Sequence, residues 1–388
     1  MSNRGLRSQG GAAAGLSPWQ LVWLIVTTIS IEDSTVIDHY LASSAGIDSW
    51  IAILAWAPLG LLAAWAIASL VRRHRGLDLV ALLRAHLGPA VYVLAPLYVV
   101  LFVADATLAA RTFAVVAHLL GQEQLVPVGA FLIPIIGLAL LGAWLGIEVT
   151  ARINALLLLL VDIPLGVILT VFSTNHESLA RLLPILVEGW APIGTLMLLM
   201  VGKTGEFVAM LVYAPAVEGP SRLPRTTVIA TGWLILFALG HSIGPVLTFG
   251  HSVVDIAWPS YSQIRSIEFG RFIENLSVAA VVLWLHGFWA ETTLFLDAAA
   301  RTAASLLGMK GHRVLLPWFA LGILGLCYLI APGDSNVLLE RRMLDQYGYL
   351  AMGVIVPLLL LGISLLRGSA NERKAERTPR AERRMLIR

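Results

Sequence analysis

The chain has 388 residues, of which 58% are hydrophobic and only 13% are charged, and its formal net charge is +3. A soluble domain carries about a quarter charged residues, and a single core of this size cannot hide so much apolar surface from water. Together with a mean hydropathy of +0.81, these values exclude a soluble globular protein. The single cysteine, Cys327, excludes a disulfide framework and a cysteine-built zinc site.

Ten apolar segments are long enough to cross a membrane, which takes a helix of about 20 residues. Short alternating segments, which are typical of membrane β-strands, do not occur in the sequence. An all-α integral membrane protein with ten transmembrane helices is therefore predicted. Glu32 and Asp33 interrupt the first segment, so we interpret it as a span and not as a cleaved signal peptide. The predicted spans are 17–41, 50–71, 90–120, 127–147, 150–172, 194–217, 226–250, 274–304, 313–331 and 347–366.

The placement of Lys and Arg residues predicts the orientation. With a cytoplasmic N-terminus, 20 of the 27 basic residues lie in cytoplasmic segments and five on the other side, while Arg111 and Lys203 lie within spans. Both termini are therefore predicted to be cytoplasmic. We divide the chain into an N-terminal tail (1–16), a ten-span domain (17–366) and a disordered basic tail (367–388). The basic residues are thus a topology signal and a tail that can touch anionic lipid, not a nucleic-acid-binding surface.

Two predicted outer loops are long, 173–193 after the fifth span and 251–273 after the seventh. Both mix charged with apolar residues, which indicates short helices lying on the outer face. A ten-span core made of two five-helix repeats with inverted topology would begin each repeat with a broken helix. The sequence therefore predicts breaks in spans one and six.

Span six carries two glycines around a lysine, followed by a glutamate, at residues 202–206. Glycine costs a helix about 1 kcal/mol, and a charge at the bilayer centre costs at least about 2.5 kcal/mol. Such a stretch is typical of an unwound segment that lines a cavity, where free amides bind a carboxylate and free carbonyls bind an ammonium group or a cation. In the alternative interpretation, the glycines allow close helix packing and Lys203 pairs with Glu206. The charges favour ligand binding, because packing does not need them.

Span one has a matching polar stretch at residues 27–34. Its hydroxyls also have the alternative of bonding back to helix carbonyls, which would leave the helix intact, and its two acidic residues have the alternative of lying in the outer mouth. The predicted ligand-binding residues of the two spans are Thr27, Ser30, Gly202, Lys203, Thr204, Gly205 and Glu206.

Other ionisable residues inside the spans need partners, because charge in hydrocarbon is costly. Glu32, Asp105 and Glu291 are the candidates for proton, ion or charge-network roles. Asp297 precedes Arg301 by four residues, which predicts a structural ion pair on one helix face.

Enzyme motifs are not convincing in this sequence. The segment GHSIG at 240–244 matches the nucleophile motif G-x-S-x-G, but that motif works at a strand-to-helix turn, and this copy lies in a predicted membrane helix. We therefore expect no enzymatic activity, no cofactor and no metal site.

Four short stretches together resemble the spore germination permease family, the B-type membrane subunits of nutrient germinant receptors. This family belongs to the amino acid–polyamine–organocation transporter superfamily. The resemblance depends on the order and spacing of the stretches over about residues 17–366. They are GIEVTAR at 146–152, LPILVEGWAPI at 183–193, Gly205 and Glu206 followed by YAP at 213–215, and PSY at 259–261 followed by Arg265, FG at 269–270 and FIE at 272–274.

The resemblance implies a LeuT-like ten-helix fold with broken helices one and six. It also implies residence in the spore inner membrane and a complex with an A-type subunit and a C-type lipoprotein. A small nutrient, usually an amino acid, would bind at mid-membrane between spans one and six and trigger germination. The alternative function is a proton-coupled amino acid secondary transporter.

The chain departs from the family pattern at two positions. Relatives usually have an apolar residue or proline at the position of Lys203 and a lysine at the position of Glu291. We hypothesise that Lys203 faces Glu291 or Glu206 across the pocket and replaces a family contact. A pocket containing Lys203 would then favour an acidic or carboxylate-bearing ligand.

Overall fold

The computed structural model describes residues 15–120, 126–164, 179–187, 189–267, 277–329 and 334–367. Within these ranges the chain is helical, and its β-structure is a single isolated bridge between Leu16 and Val217. Most of the two predicted tails, 1–14 and 368–388, and parts of the two predicted outer loops lie outside the described residues.

The first half of the chain contains seven α-helices with short π and 3-10 segments between them. They are α1 (Pro18–Glu32), α2 (Asp38–Ala45), α3 (Ser49–Arg73), α4 (Leu79–Leu87), α5 (Val91–Leu120), α6 (Gly129–Leu145) and α7 (Ile147–Leu157). The second half is built in the same way. Its described helices are α8 (Trp190–Lys203), α9 (Ala209–Tyr213), α10 (Leu223–Phe249), α11 (Pro259–Arg265), α12 (Ser277–Leu306), α13 (Leu316–Leu329), α14 (Asp334–Met343) and α15 (Val356–Arg367).

Helix α1 begins at a capping box. The side chain of Ser17 accepts a hydrogen bond from the Gln20 amide (3.2 Å), and the Gln20 side chain accepts one from the Ser17 amide (3.1 Å). Pro18 at the first helical position has no amide proton to leave unpaired. The local sequence therefore sets the start of the first predicted span.

The helical run Pro18–Arg73 folds back on itself at Gly46, which has a φ of 53°. Thr28 before this turn and Trp56 after it hydrogen-bond to Glu206 and Thr204, respectively. In one straight helix, residues 28 and 56 would be about 42 Å apart. The run therefore holds two of the predicted spans.

Five helical runs of the described chain are long and apolar enough to cross a membrane, or six if one bent pair is counted as a single span. That pair, Gly129–Leu145 and Ile147–Asp162, is bent by 116°. Each of the ten predicted spans contains helix in the described ranges. The count of ten membrane crossings itself stays a prediction.

Spans one and six leave α-helical geometry close to the predicted sites, but the backbone stays helical through both. Span one widens into a π-helix over Asp33–Ile37, and span six tightens into a 3-10 helix over Thr204–Val208. The hydroxyls of Ser34 and Thr35 donate to the Ile31 carbonyl at 2.9 and 2.8 Å. This back-bonding, considered above as the alternative for span one, keeps the helix continuous. π-Helical turns of this kind often occur at functional sites.

Gly202 and Gly205 of span six lie against another π-helix, Leu344–Ile355. A Cβ atom on Gly202 would collide with the Asp345 carbonyl oxygen, and one on Gly205 would lie 2.6 Å from the Tyr349 carbonyl oxygen. The glycines therefore permit a close backbone-to-backbone contact, as the packing interpretation predicts.

Candidate ligand and charge site

Arg341 on α14 lies at the centre of a fully buried charge cluster. Its guanidinium group contacts carboxylates from several different helical segments. They are Glu32, Glu291 (2.9 Å), Glu206 (3.0 Å), Asp105 (3.2 Å) and Asp345 (3.3 Å). Because arginine presents five N–H donors in a planar fork, one side chain can serve this many acceptors.

Lys203 is the second cation of the cluster and is only 1% exposed. Its ammonium group forms ion pairs with Glu32 on α1 and with Glu206 in the following 3-10 turn. Glu32 is shared, since its Oε2 meets Lys203 and its Oε1 meets Arg341. We call these seven residues the charge cluster: Glu32, Asp105, Lys203, Glu206, Glu291, Arg341 and Asp345.

Neutral side chains add hydrogen bonds around the cluster. Thr28 donates to Glu206 Oε2 at 2.8 Å, and the Tyr349 hydroxyl donates to Asp105 Oδ2. Trp56 Nε1 donates to the Thr204 hydroxyl at 2.9 Å, next to the cluster. These contacts hold the carboxylates in fixed directions.

The charge cluster contains five carboxylates and two cations. If all were ionised, the cluster would carry a formal charge of about −3 in a site that excludes water, which is very costly. Protons or a positively charged ligand must offset this excess. The arrangement is therefore suited to taking up positive charge.

All five ionisable residues proposed from the sequence as site residues meet in this cluster. They are Glu32, Asp105, Lys203, Glu206 and Glu291. Thr204 lies beside it, with its hydroxyl donating to the Met200 carbonyl at 3.0 Å. Thr27 donates to the Trp23 carbonyl at 2.9 Å, and buried Ser30 has a hydroxyl with no hydrogen-bond partner among the described residues.

The hypothesis named Glu291 or Glu206 as the partner of Lys203, and the structure shows the ion pair with Glu206. Glu291 instead contacts Arg341 at 2.9 Å. Sequence reasoning placed Lys203 and Arg111 within spans and did not consider Arg341, because it assigned that residue to the outer side.

The assignment of Arg341 to an outer segment is corrected by its complete burial on α14. The predicted tenth span starts at residue 347, whereas the helix starts at Asp334 and carries Arg341 toward the core. One feature of the sequence could have indicated a buried Arg341. Asp345 follows it by four residues and can pair with it on one helix face. Tyr349 and Thr28 carry no such signal.

Other predicted features lie outside the cluster. The Asp297–Arg301 pair is confirmed at 2.5 Å, and His312 also contacts Asp297 at 2.8 Å. Ser242, from the segment resembling a nucleophile motif, lies within α10 and hydrogen-bonds to Ser49 at 2.7 Å.

Solved structures of transporters share this fold at low sequence identity. A nucleobase-cation-symport-1 family transporter, MHP1, in a closed conformation with bromovinylhydantoin bound, is 14% identical, with a TM-score of 0.68 over 97% of this chain and 82% of that one. MhsT in complex with L-phenylalanine is 14% identical, with a TM-score of 0.63 over 89% and 98%. A manganese transporter of Eremococcus coleocola is 14% identical, with a TM-score of 0.57 over 95% and 83%. The predicted LeuT-like fold is confirmed.

Sequence comparison gives the family. No curated protein sequence matches the chain. The family model described as "Spore germination protein" matches residues 15–335, which include the charge-bearing parts of spans one, three, six and eight. With a match over most of its length and the fold of membrane transporters, the chain belongs to the spore germination protein family.

Proposed function

We propose that the chain is the membrane subunit of a nutrient germinant receptor. It binds a small nutrient, an amino acid, at mid-membrane and triggers germination together with an A-type subunit and a C-type lipoprotein. It resides in the spore inner membrane with both termini in the cytoplasm, and it catalyses no reaction. Family membership supports this role, as does a fold whose solved examples hold small ligands such as L-phenylalanine.

The observation that carries the proposal is the position of Arg341. Its guanidinium group joins Glu32 on α1, Asp105 on α5, Glu206 in span six and Glu291 on α12. A ligand that moves α1 or span six must break ion pairs with the other helices. In the proposed receptor, the states with intact and with broken ion pairs are the two whose balance the ligand shifts.

The proposed ligand position is between the π-helical turn of span one and the 3-10 turn of span six. The proposed ligand-binding residues are Thr27, Ser30, Gly202, Lys203, Thr204, Gly205 and Glu206. Ser30 has an unused hydroxyl, and backbone that departs from α-helix offers groups to a ligand.

The charges favour a ligand that brings positive charge. Two glutamates already neutralise Lys203, so the lysine gives little reason to favour an acidic ligand. The excess of carboxylates attracts an ammonium group, such as the α-ammonium group of an amino acid.

Germination of spores tests this role directly. The gene is deleted in its own spore-former in a background that lacks paralogous receptors, and spores are exposed to single amino acids. We expect the loss of germination with at least one of them and its recovery with the wild-type gene. A complementing gene that carries the exposed substitution Asp255→Asn is the matched control. Unchanged germination with every nutrient would overturn the proposal.

The excess of carboxylates over cations favours a second candidate, a proton-coupled amino acid transporter. Carboxylates in excess can take up and release protons as the helices move. Uptake of labelled amino acids into proteoliposomes, with and without an imposed proton gradient, separates the two functions. Concentrative uptake driven by the gradient would show transport and exclude a purely sensory role.

A further inference from the structure

The carboxylates of the charge cluster form two overlapping sets of three. One set is Glu32, Asp105 and Glu291, and the other is Glu32, Glu206 and Asp345; in each set, one oxygen per residue lies within 4.8 Å of the others. Converging carboxylate oxygens are the ligands that hard metal cations such as Ca²⁺ prefer. The carboxylate side chains thus provide two places for a cation.

Cations of the chain itself already reach both sets. Arg341 Nη1 contacts all three members of the first set, at 3.2 Å from Asp105 and 2.9 Å from Glu291 and also at Glu32. Lys203 Nζ contacts Glu32 and Glu206 in the second set. The two side chains therefore take the positions that inorganic ions would take.

A further buried carboxylate adjoins the second set. Asp33 is 2% exposed, and neither of its oxygens accepts a hydrogen bond from the described residues. It interacts electrostatically with Glu206 and Asp345, two members of that set. Asp33 is therefore a buried carboxylate whose oxygens accept no hydrogen bond from the described residues, and it adjoins the set that Lys203 reaches.

We propose that Lys203 is a tethered cation that fills a metal-cation site and frees the protein from needing an inorganic ion there. An ammonium group is a compact point charge, comparable to a metal ion, whereas the arginine fork holds the helices together through many directed hydrogen bonds. When both the charge and the volume of the Lys203 side chain are removed, the site formed by Glu32, Glu206 and Asp345 binds a hard divalent cation. The formal charge of the cluster then falls by a further unit, which strengthens the attraction for a divalent ion.

The inference concerns the charge cluster and does not depend on the germination role. It is tested on purified full-length protein, so its failure would leave the spore experiment untouched. Likewise, unchanged germination in the spore experiment would not bear on the cation site, which is measured on the purified protein.

The test compares wild-type protein with Lys203→Ala, which removes both charge and volume, and Lys203→Met, which removes the charge but keeps most of the side-chain volume. Each protein is extracted and purified in CaCl₂ and, separately, in choline chloride of equal ionic strength. The apparent Tm is then followed against CaCl₂ concentration. A second series adds Asp345→Asn to Lys203→Ala, which removes one proposed ligand.

We expect the Tm of Lys203→Ala to rise with the logarithm of the CaCl₂ concentration above the Kd, by about 3 °C at a tenfold excess over the Kd. The Tm of wild type and the Tm of Lys203→Met should change little with CaCl₂, because in both proteins the side chain at position 203 fills the site. Asp345→Asn should weaken the response of Lys203→Ala. Folding of Lys203→Ala only in CaCl₂ would also support the site. A Tm that is insensitive to CaCl₂, an equal rise in wild type, or failure to fold in either salt would overturn the proposal.

Discussion

Glu32 on α1 and Lys203 on α8 form an ion pair that is buried between the two helices predicted to be broken. The second oxygen of Glu32 contacts Arg341, so one carboxylate connects the two cations of the cluster. A buried pair of this kind adds little net stability, but removing one partner leaves an uncompensated charge. The pair therefore links the two helices. Its loss should change the electrostatic surroundings of both cations, Lys203 and Arg341.

A double-mutant cycle tests this link. Lys203→Met and Glu32→Gln should each lower the apparent Tm of the purified protein, while the double variant should lose less than the sum of the two. We expect a coupling of about 0.5–3 kcal/mol. The matched cycle of Lys203→Met with Glu291→Gln should show weaker coupling, because Glu291 contacts Arg341 and not Lys203. Equal coupling in the two cycles would contradict the observed pairing.

Removal of Arg341 should be the most damaging single change in the cluster. Arg341→Met leaves five buried carboxylates without their central partner, and breaking buried pairs costs about 3–5 kcal/mol. Arg341→Lys keeps the charge but loses the planar fork, so it should recover only part of the stability. Thermal unfolding in detergent, followed by loss of the monodisperse size-exclusion peak, measures both variants. An Arg341→Met protein as stable as wild type would show that the cluster is not held by this arginine.

Sequence reasoning found four of the five acidic members of this cluster but missed Asp345 and the central Arg341. Glu32, Asp105 and Glu291 stand out because a charge inside an apolar span requires a partner. Arg341 does not stand out, since it precedes the apolar run of span ten and its helix begins before the predicted span. The actual pairings depend on which helix faces meet, and that follows from packing across the whole fold.

The fold could be predicted from the sequence more fully than the pairings of the cluster. The apolar segments and the order of four short stretches identified a LeuT-like helical protein, which the structural comparisons confirm. The sequence did not predict that the two interrupted spans stay helical. The same polar residues are compatible with hydroxyl groups that bond back to the helix and with an unwound segment. In span one, Ser34 and Thr35 bond back to Ile31 and keep the backbone helical.

The contact of span six with the π-helix predicts a strong effect of a single methyl group. Gly205→Ala would place a Cβ atom 2.6 Å from the Tyr349 carbonyl oxygen, and such overpacking costs about 1–3 kcal/mol. Gly194→Ala, in α8, meets no atom within 4 Å and should be neutral or stabilising, because alanine favours helix. Apparent Tm values compare the two. A loss at Gly194 equal to that at Gly205 would argue against close packing as the cause.

Asp48 holds the segment 179–187 in place. Its two carboxylate oxygens accept the backbone amides of Leu186 and Val187 at 2.7 and 2.8 Å. Asp48→Ala leaves these amides without their acceptor, at a cost of about 1–3 kcal/mol, and should loosen the segment. Trypsin should then cleave faster after Arg181, which lies within it. Asp255→Ala, a change at an exposed carboxylate, is the control and should leave the cleavage rate unchanged.

The predicted orientation can be tested with single cysteines, because the chain has only Cys327 and this residue is 6% exposed. Arg72→Cys and His251→Cys both place a thiol at an exposed position, the first at the end of α3 and the second after α10. Basic residues cluster near Arg72, so this position should be cytoplasmic, while His251 should lie outside. A membrane-impermeant maleimide added to intact cells should therefore label His251→Cys only. After the cells are lysed, both variants should be labelled, and the wild type should remain weakly labelled throughout. Labelling of Arg72→Cys in intact cells, with His251→Cys protected, would reverse the orientation.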